Sequence, residues 1–263
     1  MSLTKTAIPY LTRVFGAARG CSMGCPYCST ARWSHRLACP DCRARKVHFH
    51  EERLGDPAEA KKPQIVGVSF YDELFDPERP VADVCKVFGA CEGSPQHQYV
   101  FLTKQAAWPS GMTIEMFSAN ANWWLGVSVT GNMDVDHERL ARMEAWTALG
   151  VRTWLSLEPW FGPEPLLLRQ TIKGVGFVAI GCESGRTVDA AYDESWQRSA
   201  AAIVAACRDA GVPVFVKQAW VGGRCSRDQG EWPLDLRVRE VPADWRNILW
   251  SPTEGRSRME GLA

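Results

Sequence analysis

The segment Cys21-Ser-Met-Gly-Cys25-Pro-Tyr-Cys28 places three thiols within eight residues, and Cys39-Pro-Asp-Cys42 adds two more after a ten-residue gap. A [4Fe–4S] cluster normally takes four thiolates, one per iron. Three closely spaced ligands therefore hold three irons and leave the fourth open to a small molecule. Gly24 and Pro26 permit the tight loop such a cluster needs. The competing chemistry is zinc, since Cys25-x2-Cys28 with Cys39-x2-Cys42 makes a four-cysteine set, although its gap is shorter than the usual ribbon spacing. Cys21 separates the two readings, because the zinc set leaves it spare.

If Cys21, Cys25 and Cys28 serve iron, Cys39 and Cys42 are two thiols without a thiol neighbour. Two ligands cannot complete a tetrahedral zinc site. His35, His48 and His50 lie close enough in sequence to supply the others, although the order His-x3-Cys-x2-Cys-x5-His-x-His is not a standard zinc signature. Two readings stay open: an accessory zinc site, or a loop with two free or redox-active thiols.

The chain has ten cysteines, and the other five, Cys85, Cys91, Cys182, Cys207 and Cys225, are scattered. A secreted disulfide scaffold would be shorter and would spread its cysteines as a framework. Clustering without an export signal points instead to metal binding in a cytoplasmic protein. Lys plus Arg balances Asp plus Glu at 30 each over 263 residues, which removes a whole-protein basic field as an argument for nucleic acid. Charge is uneven locally: no acid precedes Asp41, and Arg32, Arg36, Arg43, Arg45 and Lys46 crowd the cysteine region. Such a run either contacts phosphates or is simply solvated. No apolar run approaches the roughly 18 residues that span a bilayer, so no membrane partner is expected.

The elements that must position this chemistry alternate. Apolar runs at Ile65–Ser69, Tyr99–Thr103, Trp124–Val129, Thr153–Leu157, Phe177–Ile180 and Val214–Val216 read as strands buried on both faces, with Tyr10–Phe15 as an earlier one. Three helices are expected between them. The first, capped by Asp134 or Asp136, presents Leu140, Met143 and Trp146 and ends at Gly150. The second starts near Glu194, carries Trp196, Ala200, Ile203, Val204 and Cys207 on one stripe, and stops at Gly211. The third shows Val81, Val84, Cys85 and Phe88. Repeated strand–helix alternation implies right-handed crossovers and a parallel sheet. An α/β fold follows, as a complete or partial parallel (βα) barrel over residues 1–221 with the cysteine loop at 16–50, and a capping extension over 222–263 whose last ten or so residues are loose. A doubly wound sheet is the alternative.

Polar residues follow almost every run: Ser69 and Asp72, Lys104 and Gln105, Ser128 and Thr130, Glu158, Glu183 and Ser184, Lys217 and Gln218. In a parallel barrel these exits gather at one end, where active sites are built. Twelve tryptophans could stack bases, but Trp146, Trp154 and Trp196 fit apolar faces and read as core. Cys85, Cys91 and Cys207 fall on apolar helical stripes and read as buried packing residues.

The spacing C-x3-C-x2-C, with Tyr27 before the last cysteine, resembles the radical S-adenosylmethionine superfamily. A longer resemblance covers most of the chain. The stretches Val47–His50 through Leu54, Lys62-Pro63, Phe101–Lys104, Trp124–Val129, Leu155–Pro159, Glu183–Gly185 and Gly211–Gln218 are similar to a phage-associated family of unassigned function, itself distantly similar to spore photoproduct lyase, which repairs DNA by radical chemistry. There are two departures. That family spaces its first two cysteines further apart, and its Gly-Gly-Glu-Ser-Gly reads Gly181-Cys182-Glu183-Ser184-Gly185 here.

The resemblance implies a radical S-adenosylmethionine enzyme of the (βα) barrel type. Its [4Fe–4S] cluster would sit on Cys21, Cys25 and Cys28, with the open iron binding the amino and carboxylate groups of S-adenosyl-L-methionine. Reductive cleavage then yields methionine and a 5′-deoxyadenosyl radical that abstracts hydrogen from substrate. It further implies that Lys104 and Ser128 hold the cofactor carboxylate, as an ammonium and a hydroxyl suit. Ser69 and Asp72 occupy the place of a Gly-Gly-Glu segment that touches the amino group, though the motif itself is absent. Tyr27 packs near the adenine. Glu158 binds ribose hydroxyls or substrate, or else makes a loop salt bridge. Cys182 returns a hydrogen atom to a substrate radical, or is a small residue tolerated beside the cofactor. A low-potential donor such as flavodoxin or ferredoxin is implied, and by analogy a nucleotide or nucleic-acid substrate.

Overall fold

The computed structural model describes residues 2–105, 114–162 and 166–249. They form a mixed α/β fold whose long strands are mostly parallel, in two compact units, Met1–Gly126 and Val127–Ala263. The expectation of a loose final segment concerns residues outside the described ones.

The first unit carries β1 (Thr4–Lys5), β2 (Arg13–Phe15), β3 (Ala18–Arg19), α1 (Ser29–Trp33), α2 (Pro40–Ala44), β4 (His48–Phe49), α3 (Asp56–Glu59) and β5 (Ile65–Val68). It continues with α4 (Val81–Glu92), β6 (Gln98–Thr103), α5 (Glu115–Ala119) and β7 (Trp123–Ser128), the last strand crossing into the second unit. Strands β2, β5 and β6 are parallel neighbours, with Phe15 opposite Val68 and Val68 opposite Phe101. Their C-terminal ends therefore point the same way. The residues following them at Gly16, Ser69 and Lys104 emerge on one side of the sheet.

The core beneath these exits is aromatic. Phe88 of α4 is 1% exposed, and its ring centroid lies 5.6 Å from Phe101, 5.4 Å from Phe117 and 5.1 Å from Trp123. The buried stripe of α4 is Val84, Val87, Phe88 and Cys91. Cys85, expected to be buried, is exposed, because it lies a further 100° of helical rotation from Val84 and off that stripe. Val81, at the first helical position, is also exposed.

The second unit contains α6 (Met133–Ala148), β8 (Thr153–Leu157), α7 (Leu166–Ile172), β9 (Val178–Gly181), α8 (Ala190–Ala210), β10 (Val214–Val221), β11 (Arg224–Ser226) and α9 (Ala243–Leu249). Strands β8, β9 and β10 pair in parallel, and β10 folds back on β11 as an antiparallel hairpin that sets Trp220 opposite Cys225. The expected boundary at 221/222 falls at the turn of this hairpin. Leu140, Met143, Trp146, Trp154, Trp196 and Cys207 are all buried, as their spacing required. Helix α8 begins four residues earlier than expected, because Asp189 caps it by accepting the Tyr192 N–H. Its end at Gly211 is as expected, with φ of 68°.

The residue before α6 is Asn132, and neither Asp134 nor Asp136 occupies the cap. Asp136 lies one turn inside the helix, fully buried, and reaches back to the N–H groups of Thr130 and Gly131 at 2.7 Å each. Arg139 neutralises it from 3.0 Å.

Candidate functional site

In the first unit the cysteine loop leaves β2 and β3 and enters α1. Cys21, Cys25 and Cys28 are each half-buried. The loop is held by backbone bonds: the Cys21 N–H donates to Arg45 O (3.2 Å) and the Cys28 N–H to Cys25 O (3.1 Å). Gly20, with φ of 86°, opens it, and a Cβ there would stand 1.8 Å from Lys46 O. Only glycine lets the 45–46 backbone close over the start of the loop. Burial, with the nearby Glu73 and Asp76 charges, pushes the Cys21 thiol up to about 11, so a metal must displace a proton to bind it.

The β5 exit supplies buried polar groups that tie this loop down. Asp72 accepts the Gly20 N–H at 2.8 Å and pairs with Arg19 at 3.0 Å. Asp76 holds Ser22. Arg79 donates to the carbonyls of Arg19 (2.9 Å), Glu73 (3.2 Å) and His48 (3.0 Å). Ser69, at φ of 52°, donates its hydroxyl to Ala18 O. Ser69 and Asp72 thus make structural bonds to the cysteine loop and its approach. Burial raises the pKa of Asp72 despite the Arg19 charge.

The β6 exit completes the group. Lys104 gives its N–H to Glu73 at 2.9 Å, and its ammonium lies 5.9 Å from the centroid of the Tyr27 ring. Gln105 reaches Met23 Sδ, inside the cysteine loop. Glu73, 4% exposed, also accepts from Thr103 and from the Phe75 N–H, and burial raises its pKa. Sequence reasoning missed Glu73, Asp76 and Arg79. Their types alone do not separate a buried tie from a solvated loop charge.

A second constellation lies in the same unit. Cys39, Cys42, His48 and His50 have their donor atoms all within 4.8 Å of one another. His48 Nε2 lies 3.3 Å from Cys42 Sγ, 3.7 Å from Cys39 Sγ and 3.0 Å from His50 Nε2, which is 3.4 Å from Cys42 Sγ. His35 is exposed and does not belong to the group. Nor do Cys25 and Cys28, so the gathered set is two cysteines with two histidines rather than four cysteines. Of the basic residues nearby, Arg43 spends its guanidinium on Leu37 O and Ala38 O.

In the second unit Glu158, after β8, pairs with Lys217 at 2.5 Å. Cys182, after β9, is 2% exposed, with its sulfur 2.9 Å from that of Cys225. Gln218 brackets the pair by donating to Cys182 O and Ser184 Oγ. Burial raises the Cys182 thiol, and its S–H donated to Cys225 lowers the latter to about 7. Ser128 is fully buried, and its hydroxyl has no hydrogen-bond partner among the described residues.

The fold is similar to that of solved structures. A spore photoproduct lyase variant with bound AdoMet and dinucleoside spore photoproduct matches the fold with a TM-score of 0.52 at 10% sequence identity. Spore photoproduct lyase complexed with dinucleoside spore photoproduct matches at 0.51 and 10%. In both cases the match covers 75% of this chain and 63% of that one. By sequence, the chain belongs to the family described as protein of unknown function (DUF5131), whose profile matches residues 5–249. No curated protein matches it.

Proposed function

We propose that this chain is a radical S-adenosylmethionine enzyme carrying a [4Fe–4S] cluster on Cys21, Cys25 and Cys28. What supports the reading is that three half-buried thiols follow β2 in one loop, and that Lys104, from the exit of β6 in the same unit, sets its ammonium 5.9 Å from the ring of Tyr27 in that loop. The donor set fits: three soft thiolates suit iron–sulfur ligation, and three ligands leave one iron for a small molecule. When bound, the cluster supplies the electron that splits the sulfonium and frees a 5′-deoxyadenosyl radical.

The chain's own residues have the following roles in this proposal. Lys104 pairs with the cofactor carboxylate, and Tyr27 packs its ring against the adenine. Ser128, a buried hydroxyl without a partner among the described residues, donates to the same class of acceptor. Glu158 acts on ribose hydroxyls or substrate in balance with Lys217. Cys182 returns a hydrogen atom to the substrate radical. Asp72 and Ser69 lie toward the cofactor amino group, from a segment that also bonds to the cysteine loop and its approach. The fold is proposed as a complete or partial (βα) barrel over residues 1–221 capped by 222–263. Flavodoxin or ferredoxin is the electron donor. The substrate is a nucleotide or nucleic acid, an assignment supported by the dinucleoside bound to the structural relatives.

Anaerobic purification tests the reading. The expected protein is brown, holds about four irons per chain after reconstitution, and forms 5′-deoxyadenosine when reduced with S-adenosylmethionine. Replacing Cys21 abolishes both. Stoichiometric zinc without iron-dependent turnover overturns the proposal and favours a zinc-stapled binding module.

A further inference from the structure

We infer that Cys39, Cys42, His48 and His50 form a structural zinc site that fixes the start of the cysteine loop. The site stands on its own donors, while its positioning role rests on the cluster reading above. Tetrahedral zinc at about 2.3 Å from sulfur and 2.0–2.1 Å from nitrogen has donor–donor edges of about 3.3–3.8 Å. The separations of 3.3, 3.4 and 3.7 Å between sulfur and nitrogen fall in that range, and the 3.0 Å between the imidazoles is slightly inside it.

An independent observation points to the same ligand. Both imidazoles turn Nε2 toward the thiols and have Nδ1 occupied from outside: His48 by Lys46 O at 2.7 Å, His50 by a Glu52 carboxylate oxygen at 2.7 Å. A proton on each Nδ1 leaves each Nε2 with a lone pair facing the sulfurs. This is the outer arrangement that orients metal-bound histidines. Zn2+ displaces one proton from each thiol, and two thiolates with two neutral imidazoles balance its charge. In a closed set of four protein donors no position remains for water, which makes the role structural rather than catalytic.

The site reaches the cysteine loop through short backbone segments and the hydrogen bonds between them. His48 sits opposite Arg19 in the β3–β4 pair. Cys42 and His48 bracket residues 45 and 46, the former bonded to the Cys21 N–H and the latter closing over Gly20. Zinc would fix both ends of that bracket, and with it the backbone that holds Cys21.

The test measures zinc separately from iron in the full chain. As isolated, wild type should hold about one zinc per chain regardless of iron content, with two sulfur and two nitrogen scatterers at the zinc absorption edge. The Cys21→Ser/Cys25→Ser/Cys28→Ser variant should keep that zinc; this outcome separates the inference from the cluster reading, which can fail alone. Cys39→Ser/Cys42→Ser should lose it. Should that variant not fold, Glu52→Gln is the milder probe, expected to release zinc to a chelator with about tenfold weaker affinity. A Cys28-dependent four-sulfur zinc signal, or wild-type protein that neither retains nor takes up zinc, overturns the inference.

Discussion

Asp76 accepts both the N–H and the hydroxyl of Ser22, at 2.6 Å and 2.9–3.0 Å. The carboxylate is 2% exposed and comes from the β5 exit, while Ser22 directly follows Cys21. Together with the Asp72 bond to the Gly20 N–H, it holds both neighbours of Cys21 from one rigid segment. The thiol is thereby aimed before any ligand arrives, and such preorganisation is what a precise metal site requires.

Asp76→Ala should therefore damage binding of the proposed cluster more than the fold. It leaves the Ser22 N–H without its acceptor, a cost of about 1–3 kcal/mol, and frees the loop next to Cys21. Iron per chain after reconstitution should fall at least several-fold while the protein still melts cooperatively. Ser22→Ala, which removes only the hydroxyl bonds, should retain most of its iron. Full iron loading of Asp76→Ala would refute the positioning role.

How much of this was legible beforehand depends on the kind of signal. The strands from Ile65 onward announced themselves as continuous apolar runs, because strands buried on both faces leave no polar alternation. The three thiols of the first loop were legible by spacing. The zinc constellation was only half visible: Cys39 and Cys42 drew attention, but three histidines competed for the remaining places. His48-x-His50 carried an unused clue, since residues two apart along extended chain share a face, whereas His35 sits in a turn. Cys225 could not be paired with Cys182 from sequence, because only the β10–β11 hairpin brings them together. Asp72 stood out only as a cofactor contact, and Asp76 and Arg79 not at all, because it is the tertiary structure that buries their side chains against the cysteine loop.

Phe88 tests the platform beneath the exits. Its ring meets Phe75, Phe101, Phe117 and Trp123 edge-on or tilted at 5.1–6.5 Å, so truncation leaves a cavity in a rigid aromatic core. Phe88→Ala should cost about 3–5 kcal/mol in denaturant unfolding, whereas Cys85→Ala on the exposed side of the same helix should cost under about 0.5 kcal/mol. Equal effects would contradict the stripe assigned to α4.

The Cys182–Cys225 pair predicts a pH signature. The Cys182 S–H lowers the pKa of Cys225 and so favours its thiolate, which is the alkylating form. Iodoacetamide labelling of Cys225, followed by mass spectrometry, should rise through a midpoint below that of an ordinary cysteine thiol. In Cys182→Ala the donated hydrogen bond is gone, and the midpoint should move upward. An unmoved midpoint would show that Cys182 does not tune its neighbour.

Ser128 offers the sharpest separation of binding from stability. Its buried hydroxyl has no hydrogen-bond partner among the described residues, and a hydroxyl so placed pays a desolvation penalty in the folded state. Ser128→Ala removes that penalty at the cost of a small void, so the melting temperature should hold or rise. If the hydroxyl meets the carboxylate of S-adenosylmethionine, a hydrogen bond to a charged group is lost on binding. Such bonds contribute about 1.5–3 kcal/mol, or roughly 10- to 150-fold in affinity. Calorimetric titration of the reconstituted protein with S-adenosylmethionine should show that weakening in a variant at least as stable as wild type. Unchanged affinity with a raised melting temperature would instead make Ser128 a buried polar residue with no part in the cofactor site.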